Sequence, residues 1–496
     1  MIVLRHEKGK VSEGNHAGEN VIEVLYKTAK KNPAEPIIII KNKLDASEFI
    51  DAIGQNPSER SLISNYNPLN DGLGYVEDSP FINVSNSVKY PTWIKGSNAI
   101  YIHSSLVNKI SHQLPAGNDL LYWVNSVARL LQSKGVLCYQ IPMMHQDERL
   151  LTTKLYQFVK QHYKRRWTFF LLACHLIYEK RFPVYAFAKA QFYKRRNLEF
   201  DQREQNDLSS FILREKPKEI LNYDVIIPTM GRPKYLYDVL NDLSDQTILP
   251  VSVIIIEQNE NPSSTSQLSY LKDESWPFAI IHNFIHQTGA CNARNMAIDL
   301  SAAPWVLFFD DDVNVSKDLS NNISNFIKST HSRAVTFPCL QEGEEEKQKG
   351  YFQWAFFGSG CSIVHRDIVN CCKFDPALEH GYGEDVDYGM QIRNSGFDII
   401  YAPEVQIRHL KAPSGGFRSE FKFPWQDDTI QPKPSPHIMY FRKKSYTQQQ
   451  LLGYKLVLAL KLFSNSRNKN PWKFIRKFKK QWESSAKYAS RLIQTE

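Results

Sequence analysis

The sequence predicts an α/β fold on a largely parallel, doubly wound sheet, and three observations carry that prediction. Between residues 217 and 425, apolar runs of strand length (DVIIP at Asp224–Pro228, VSVIIIE at Val251–Glu257, WVLFF at Trp305–Phe309) alternate with stretches of helical periodicity. The run from Pro304 ends abruptly in Asp310, Asp311 and Asp312, as a buried strand does where it emerges into a crevice. A shorter alternation of the same kind occupies residues 1–146.

The chain has 496 residues, 42% of them hydrophobic, enough for roughly two to four domains with real cores. Seven scattered cysteines form no CxxC and no zinc or disulfide spacing, so a reducing compartment is the simplest reading. The first twenty residues lack a basic-then-apolar leader, and no apolar run reaches the roughly 18 residues needed to span a bilayer. The expectation is a cytoplasmic protein. The net charge of +9 is unevenly placed: residues 437–496 carry 14 Lys and Arg against two Glu, which leaves −3 for the rest.

In order, residues 1–146 read as a smaller α/β domain, with a strand at Pro36–Ile40 (PIIII) and a helical stretch, LDASEFIDAI, after it. Residues 147–216 are helical, basic and aromatic; the apolar stretch Trp167–Tyr178 is too short to span a membrane, and Pro183 breaks it. This segment reads as a packed helical linker or as a monotopic contact with Arg165, Arg166, Arg195 and Arg196 at lipid headgroups. In residues 217–425, TMGRP turns into a helix with Pro233 at its first position and Leu236, Val239, Leu240 and Leu243 along one face. GACNARNMAIDLS opens a second helix at Gly289 and Ala290 that feeds into WVLFF. Residues 426–496 pass through QPKPSPH into a basic helical tail, where Trp472, Ile475, Phe478 and Trp482 share one stripe ringed by Lys473, Arg476, Lys477, Lys479 and Lys480. That is the pattern of a helix lying on an anionic membrane; a protein-packed helix is the alternative, and no motif for nucleic acid accompanies it.

Three adjacent carboxylates repel one another unless a cation sits among them, and hard ions such as Mg²⁺ or Mn²⁺ take such oxygens; a solvated acidic turn is the bland alternative. In GYGEDVDYG, Gly381 and Gly383 permit close approach to Glu384 and Asp385, which open a helix. The free N–H groups there would hold a carboxylate ionised and ready to accept a proton, unless the pair merely caps the helix. His409 follows the next strand pattern, DIIYAPEVQIRH.

Taken in order, DVIIPTMGRPKYL, VIIIEQN, GACNARN, FFDDDV, WAFFGSGCSIVHRDI, GYGEDVDYGMQIRNSGF and RHLKAPSGGFR resemble the inverting family 2 glycosyltransferases of the GT-A fold, across residues 223–418. The resemblance implies a Rossmann-like catalytic domain that moves a sugar from a nucleotide diphosphate, UDP-linked by expectation, to a hydroxyl of a glycan or lipid-linked acceptor. It makes Asp310 and Asp312 metal ligands for Mn²⁺ or Mg²⁺, completed by His409, with Asp311 turned toward the sugar or ribose. Pro228, Thr229, Arg232, Glu257 and Asn259 would form the nucleoside pocket, and Arg294 and Asn295 would approach the nucleotide or donor sugar from a helix whose amino end favours anions. Asp385 would be the catalytic base, Glu384 and Trp354 would bind the acceptor, and Arg418 would ride on a lid. A non-catalytic glycan-binding scaffold and a nucleotidyltransferase are the rival readings.

An earlier segment echoes these motifs. Gly96-Ser97 and His103 stand where Gly358-Ser359 and His365 do, GNDLLYW (Asn118, Asp119) parallels GEDVDYG, and His145 falls where His409 does. This suggests a diverged, non-catalytic GT-A-like copy; its nearest candidate for an acidic metal motif is the stretch around Asp78.

Overall fold

A computed structural model gives the structure of the chain and describes all of it except residues 55–56, 69–71, 144–148, 202–203, 205–207, 209–220, 414–420, 468 and 493–496. His145 and Arg418 therefore lie outside the described residues. Two compact units emerge: Met1–Ser209 with Tyr446–Ser466, and Ser210–Ser445 with Arg467–Glu496.

These units cut across the four segments expected from composition. The helices Thr152–His162, Arg166–Cys174 and Val184–Ala190, expected as a linker, belong to the N-terminal unit, as does the tail helix Gln448–Ser464. Tyr75 shows why: its ring stacks on Tyr178 and meets His175 edge-on, while Gly453 packs so closely that a Cβ there would lie 2.4 Å from the Tyr75 carbonyl oxygen. Segments far apart in sequence bury one another around that residue.

The sheet of the N-terminal unit contains β1 (Ile2–Glu7), β2 (Lys10–Val11), β3 (Pro36–Lys41), β4 (Ser61–Asn65), β5 (Tyr90–Pro91), β6 (Ala99–His103) and β7 (Leu137–Ile141), in the order β2-β1-β3-β6-β4-β7-β5. The main sheet of the C-terminal unit is built from β8 (Tyr223–Thr229), β9 (Ser252–Gln258), β10 (Ala279–Ile285), β11 (Trp305–Phe309), β13 (Ala334–Thr336), β15 (Phe352–Gln353), β16 (Cys361–His365) and β17 (Ile400–Tyr401), in the order β10-β9-β8-β11-β16-β13-β17-β15. A three-stranded sheet, β12-β18-β14, joins β12 (Val313–Asn314), β18 (Ile407–His409) and β14 (Cys339–Leu340).

Strands β10, β9, β8 and β11 run parallel, and β9 is buried along its whole length, as a strand covered on both faces must be. Beyond β11 the sheet is mixed, because β16 runs antiparallel to both β11 and β13. That reversal positions the site. The pairing Phe309↔Cys361 sets the start of β16, and the Gly358-Ser359-Gly360 turn before it, beside the acidic end of β11.

Both sheets repeat one pairing scheme. The series β1-β3-β6-β4-β7-β5 has the same chain order and the same parallel and antiparallel alternation as β8-β11-β16-β13-β17-β15. Registers agree too: Pro36 pairs with His103 as Trp305 pairs with His365, and each of those histidines caps the short helix after its strand. Counting along the matched strands, Lys41, Asn42 and Lys43 occupy the positions of Asp310, Asp311 and Asp312. Asp78, the nearest candidate for an acidic motif, lies between the short helices Leu73–Tyr75 and Pro80–Ile82, after β4 and not after β3, the strand matched to β11.

The tail helix Pro471–Leu492 divides its apolar stripe. Phe478, Ser485 and Ala489 are buried within the C-terminal unit, while Trp472 and Ile475 stay exposed, Trp472 at 75%. Among the described residues no helix is long and apolar enough to cross a membrane.

Candidate active site

A cavity of about 460 Å³ opens at the carboxyl ends of β8 and β11, where ligands bind in doubly wound sheets. Pro228, Thr229, Arg232, Arg294, Asp310, Asp311, Asp312, Glu384, Asp385 and His409 all line it.

The three aspartates are held in three ways. Asp311 is buried: Thr229 Oγ1 donates to its Oδ2 at 2.7 Å and Arg232 Nη1 to its Oδ1 at 2.6 Å. Its oxygens therefore fasten the loop after β8, whereas the resemblance had turned them toward the sugar or ribose. Burial pushes the Asp311 carboxyl up to about 6 although Arg232 and Thr229 pull the other way. Asp312 is also buried; the Ala412 N–H donates to its Oδ2 at 3.0 Å, and its Oδ1 faces His409 Nε2 at 3.3 Å. The pairing of β12 with β18, Val313↔His409, brings that imidazole in. Asp310 is the most open of the three, and Arg294 Nη2 donates to its Oδ1 at 3.1 Å. Gly360 lets Asp310 sit against the turn: a Cβ there would stand 2.2 Å from Asp310 Oδ2 and would displace that carboxylate.

Arg294 is buried on the helix Ala290–Leu300, and its Nε and Nη1 have no hydrogen-bond partner among the described residues. Burial opposes its charge, yet Asp310, Asp385 and Glu384 more than restore it. A buried guanidinium with unused donors beside a cavity is built to meet an anion.

Asp385 stands in the first turn of the helix Glu384–Asn394. Its Oδ1 is buried without a hydrogen-bond partner among the described residues, and the adjacent Ser359 favours the charged form of the carboxylate. The expectation that free helix N–H groups keep this carboxylate ionised needs correction. Burial pushes the Asp385 carboxyl above its ordinary value, and Asp310 adds to the rise, against Arg294 and Ser359. Burial and the neighbouring Asp385 likewise push Glu384 up to about 7.

Four expected residues are absent from the cavity wall. Glu257 accepts from His282 Nε2 at 2.9 Å, the Gln267 N–H at 3.0 Å and Ser266 Oγ at 2.5 Å, and Asn259 closes a local turn by accepting from the Asn261 N–H at 3.0 Å. Asn295 clamps the backbone of Phe374 with two hydrogen bonds, at 2.7 and 2.8 Å. Trp354 packs among Phe352, Phe356 and Tyr401. The anion-binding amino end predicted for the helix Ala290–Leu300 is already filled: the N–H groups of Cys291 and Asn292 donate to Glu379 at 3.0 and 2.9 Å. Gly289 makes room for that carboxylate, since a Cβ there would lie 2.3 Å from its carbon.

Ser359, Gly360 and Glu379 are site residues that the sequence reading passed over. The FGSG motif was a signal for the first two; nothing local marks Glu379.

A doubly wound sheet with a carboxylate-lined cavity at its strand ends is a ligand-binding architecture. Residues 224–371 match the family described as Glycosyl transferase family 2. No curated protein matches the chain. Among solved structures it is similar to S. aureus TarS 1-349 (17% identity, 38% of this chain and 60% of that one, TM-score 0.33). The same TarS fragment in complex with UDP-GlcNAc matches at 16% identity over 55% and 82% of the two chains, TM-score 0.39. The mannosyltransferase PcManGT from Pyrobaculum calidifontis, in complex with GDP-Man and Mn2+, matches at 14% identity over 57% and 82%, TM-score 0.33. This chain thus spans three fifths of the first TarS structure.

Proposed function

We propose that the chain transfers a sugar, with inversion, from a nucleotide diphosphate donor, UDP-linked, to a hydroxyl of a glycan or lipid-linked acceptor in bacterial surface polysaccharide or glycolipid assembly. One observation carries the reading: Asp385 and Arg294, each with buried polar atoms unpaired among the described residues, line the same cavity as Asp310 and Asp312. Asp385 takes the proton of the acceptor hydroxyl, whose oxygen attacks the anomeric carbon opposite the nucleotide. The bond from that carbon to the diphosphate oxygen breaks, and the nucleoside diphosphate leaves. Arg294 meets the negative charge on the donor, while Arg232 and Thr229, tied to Asp311, shape the nucleoside end.

A divalent ion suits this site. Among the described residues no three His, Cys, Asp or Glu side chains converge ready to hold one. The donor set of Asp310, Asp312 and His409, hard carboxylate oxygens with one imidazole, nevertheless has the chemistry Mn²⁺ or Mg²⁺ takes. Bound there, such an ion supplies positive charge that offsets the departing diphosphate. Incubation with UDP-sugars, acceptor extract and Mn²⁺ should release free nucleoside diphosphate; pyrophosphate in its place would mean nucleotidyl transfer, and turnover that survives chelation would remove the metal from the scheme.

The N-terminal unit is, in this reading, a diverged copy that has lost the donor site. The shared pairing scheme and register support it, and Lys41, Asn42 and Lys43 stand where the three aspartates would be. Titration of the full chain with the donor and Mn²⁺ should therefore saturate at one site per chain; a second site that persists in Asp312→Ala would count against the loss. We further place the protein in the cytoplasm, against the inner face of the cell membrane, with the basic tail helix contributing Trp472 and Ile475.

A further inference from the structure

We infer that the helical hairpin of the N-terminal unit between Arg166 and Phe192 is a docking face for an anionic phospholipid bilayer. The helix Arg166–Cys174 continues through a wide turn, His175–Glu179, reverses at Lys180 and returns as the helix Val184–Ala190. Leu171, Cys174, Ala186 and Ala190 are buried, and Phe169 meets Phe187 edge-on at 4.9 Å, which joins the two arms. The outer side is left uncovered: Phe169, Ile177, Phe182, Val184, Tyr185 and Phe192 are all exposed, Phe182 at 71%, Tyr185 at 70% and Phe192 at 88%. Single exposed apolar residues are ordinary on a protein surface, but six within 24 residues of one hairpin are not.

The charge around these side chains selects the occupant. Residues 164–196 hold nine Lys and Arg against one acid, Glu179, whose carboxylate Arg181 already engages at 3.1 Å. All nine basic residues except Arg196 are exposed. Arg165 lies over the Phe169 ring and Lys189 over the Tyr185 ring, so cations and aromatic faces are interleaved. A second copy of the chain would set two such basic fields against each other, at a repulsive cost. An anionic bilayer satisfies both features, with aromatic rings in the interface and Arg and Lys heads at the phosphates. The neighbouring helix Gln448–Ser464 exposes Val457 and Leu460 in the same unit, and packs through Gly453 on Tyr75, whose ring stacks on Tyr178 of the hairpin.

Co-sedimentation of the full chain with vesicles of phosphatidylcholine, with and without about one third phosphatidylglycerol, tests this. Binding should require the anionic lipid and weaken with salt. The triple variant Phe182→Ser, Tyr185→Ser, Phe192→Ser should lose about 100-fold in lipid partition with thermal unfolding little changed, because these side chains are mostly exposed. Trp472→Ser with Ile475→Ser, in the tail, should cost less than about tenfold. The inference is overturned if the triple variant binds like the wild type, if the wild type binds neither vesicle, or if the wild type is a dimer that the triple substitution dissociates.

Discussion

Replacing Asp385 with Asn should lower turnover by about 10³-fold while leaving donor affinity within a factor of two or so, since a positioned general base contributes on the order of 10²–10⁴. The substitution keeps shape and volume. What disappears is a site able to hold the acceptor's proton. The proposed donor contacts run through Arg232, Arg294 and the aspartates at the end of β11, and Asp310 and Glu384 still favour the charge of Arg294 when that of Asp385 is gone. Calorimetry with donor and Mn²⁺ reads the first arm, and initial rates against pH read the second. In the wild type the acidic limb of the rate profile should lie above the ordinary carboxylate range, because burial raises Asp385 and its ionised form is the working one. As pH rises through that limb the rate should climb; in Asp385→Asn the limb should vanish. A residual rate within tenfold of wild type would remove Asp385 from the role of base. By contrast, Asp312→Asn should weaken donor binding itself, as its carboxylate belongs to the set proposed to hold the ion.

Much of this site could be read from local pattern. An apolar run cut off by three acids announces a buried strand leaving its sheet, and the pairing of β8, β11 and β16 sets Asp310–Asp312 at that exit. Glycines ahead of Glu384 and Asp385 announce a tight entry to a helix, and Gly383 takes φ +117° there. Local pattern fails where a polar side chain's partner is distant in sequence. Glu257 looks like a free carboxylate at a strand end until β10, paired beside β9, brings His282 against it. Asn295 is 79 residues from the Phe374 backbone it clamps, and Glu379 is 88 residues from the Cys291 N–H it caps. The same blindness explains the tail: the stripe through Trp472, Ile475, Phe478 and Trp482 is a correct helical face, but periodicity does not say which part of a face meets protein. Lys41, Asn42 and Lys43 could be matched to the three aspartates only through strand register, which motif similarity does not supply.

Arg294 bears the second large prediction, because its charge is placed among Asp310, Glu384 and Asp385. Arg294→Met should lower kcat/KM at neutral pH by about 10²-fold or more, as loss of one preorganised donor to developing charge does. Two causes add, and they separate experimentally. The first is on the base: Arg294 holds the Asp385 carboxyl down against burial, so without it that carboxyl rises further and a smaller fraction is ionised at neutral pH. The acidic limb must then move to higher pH, and alkaline conditions should recover part of the rate. The second is on the donor: Nε and Nη1, unpartnered among the described residues, would no longer meet its negative charge, and donor KM should rise at every pH. Arg294→Lys divides the two effects. An ammonium keeps the charge near Asp385 and should return the limb toward its wild-type position, but it lacks the planar fork, so donor KM should stay raised. A lysine variant that restores both quantities would show that Arg294 acts as a point charge alone; one that restores neither would mean that its main work is holding Asp310 in place.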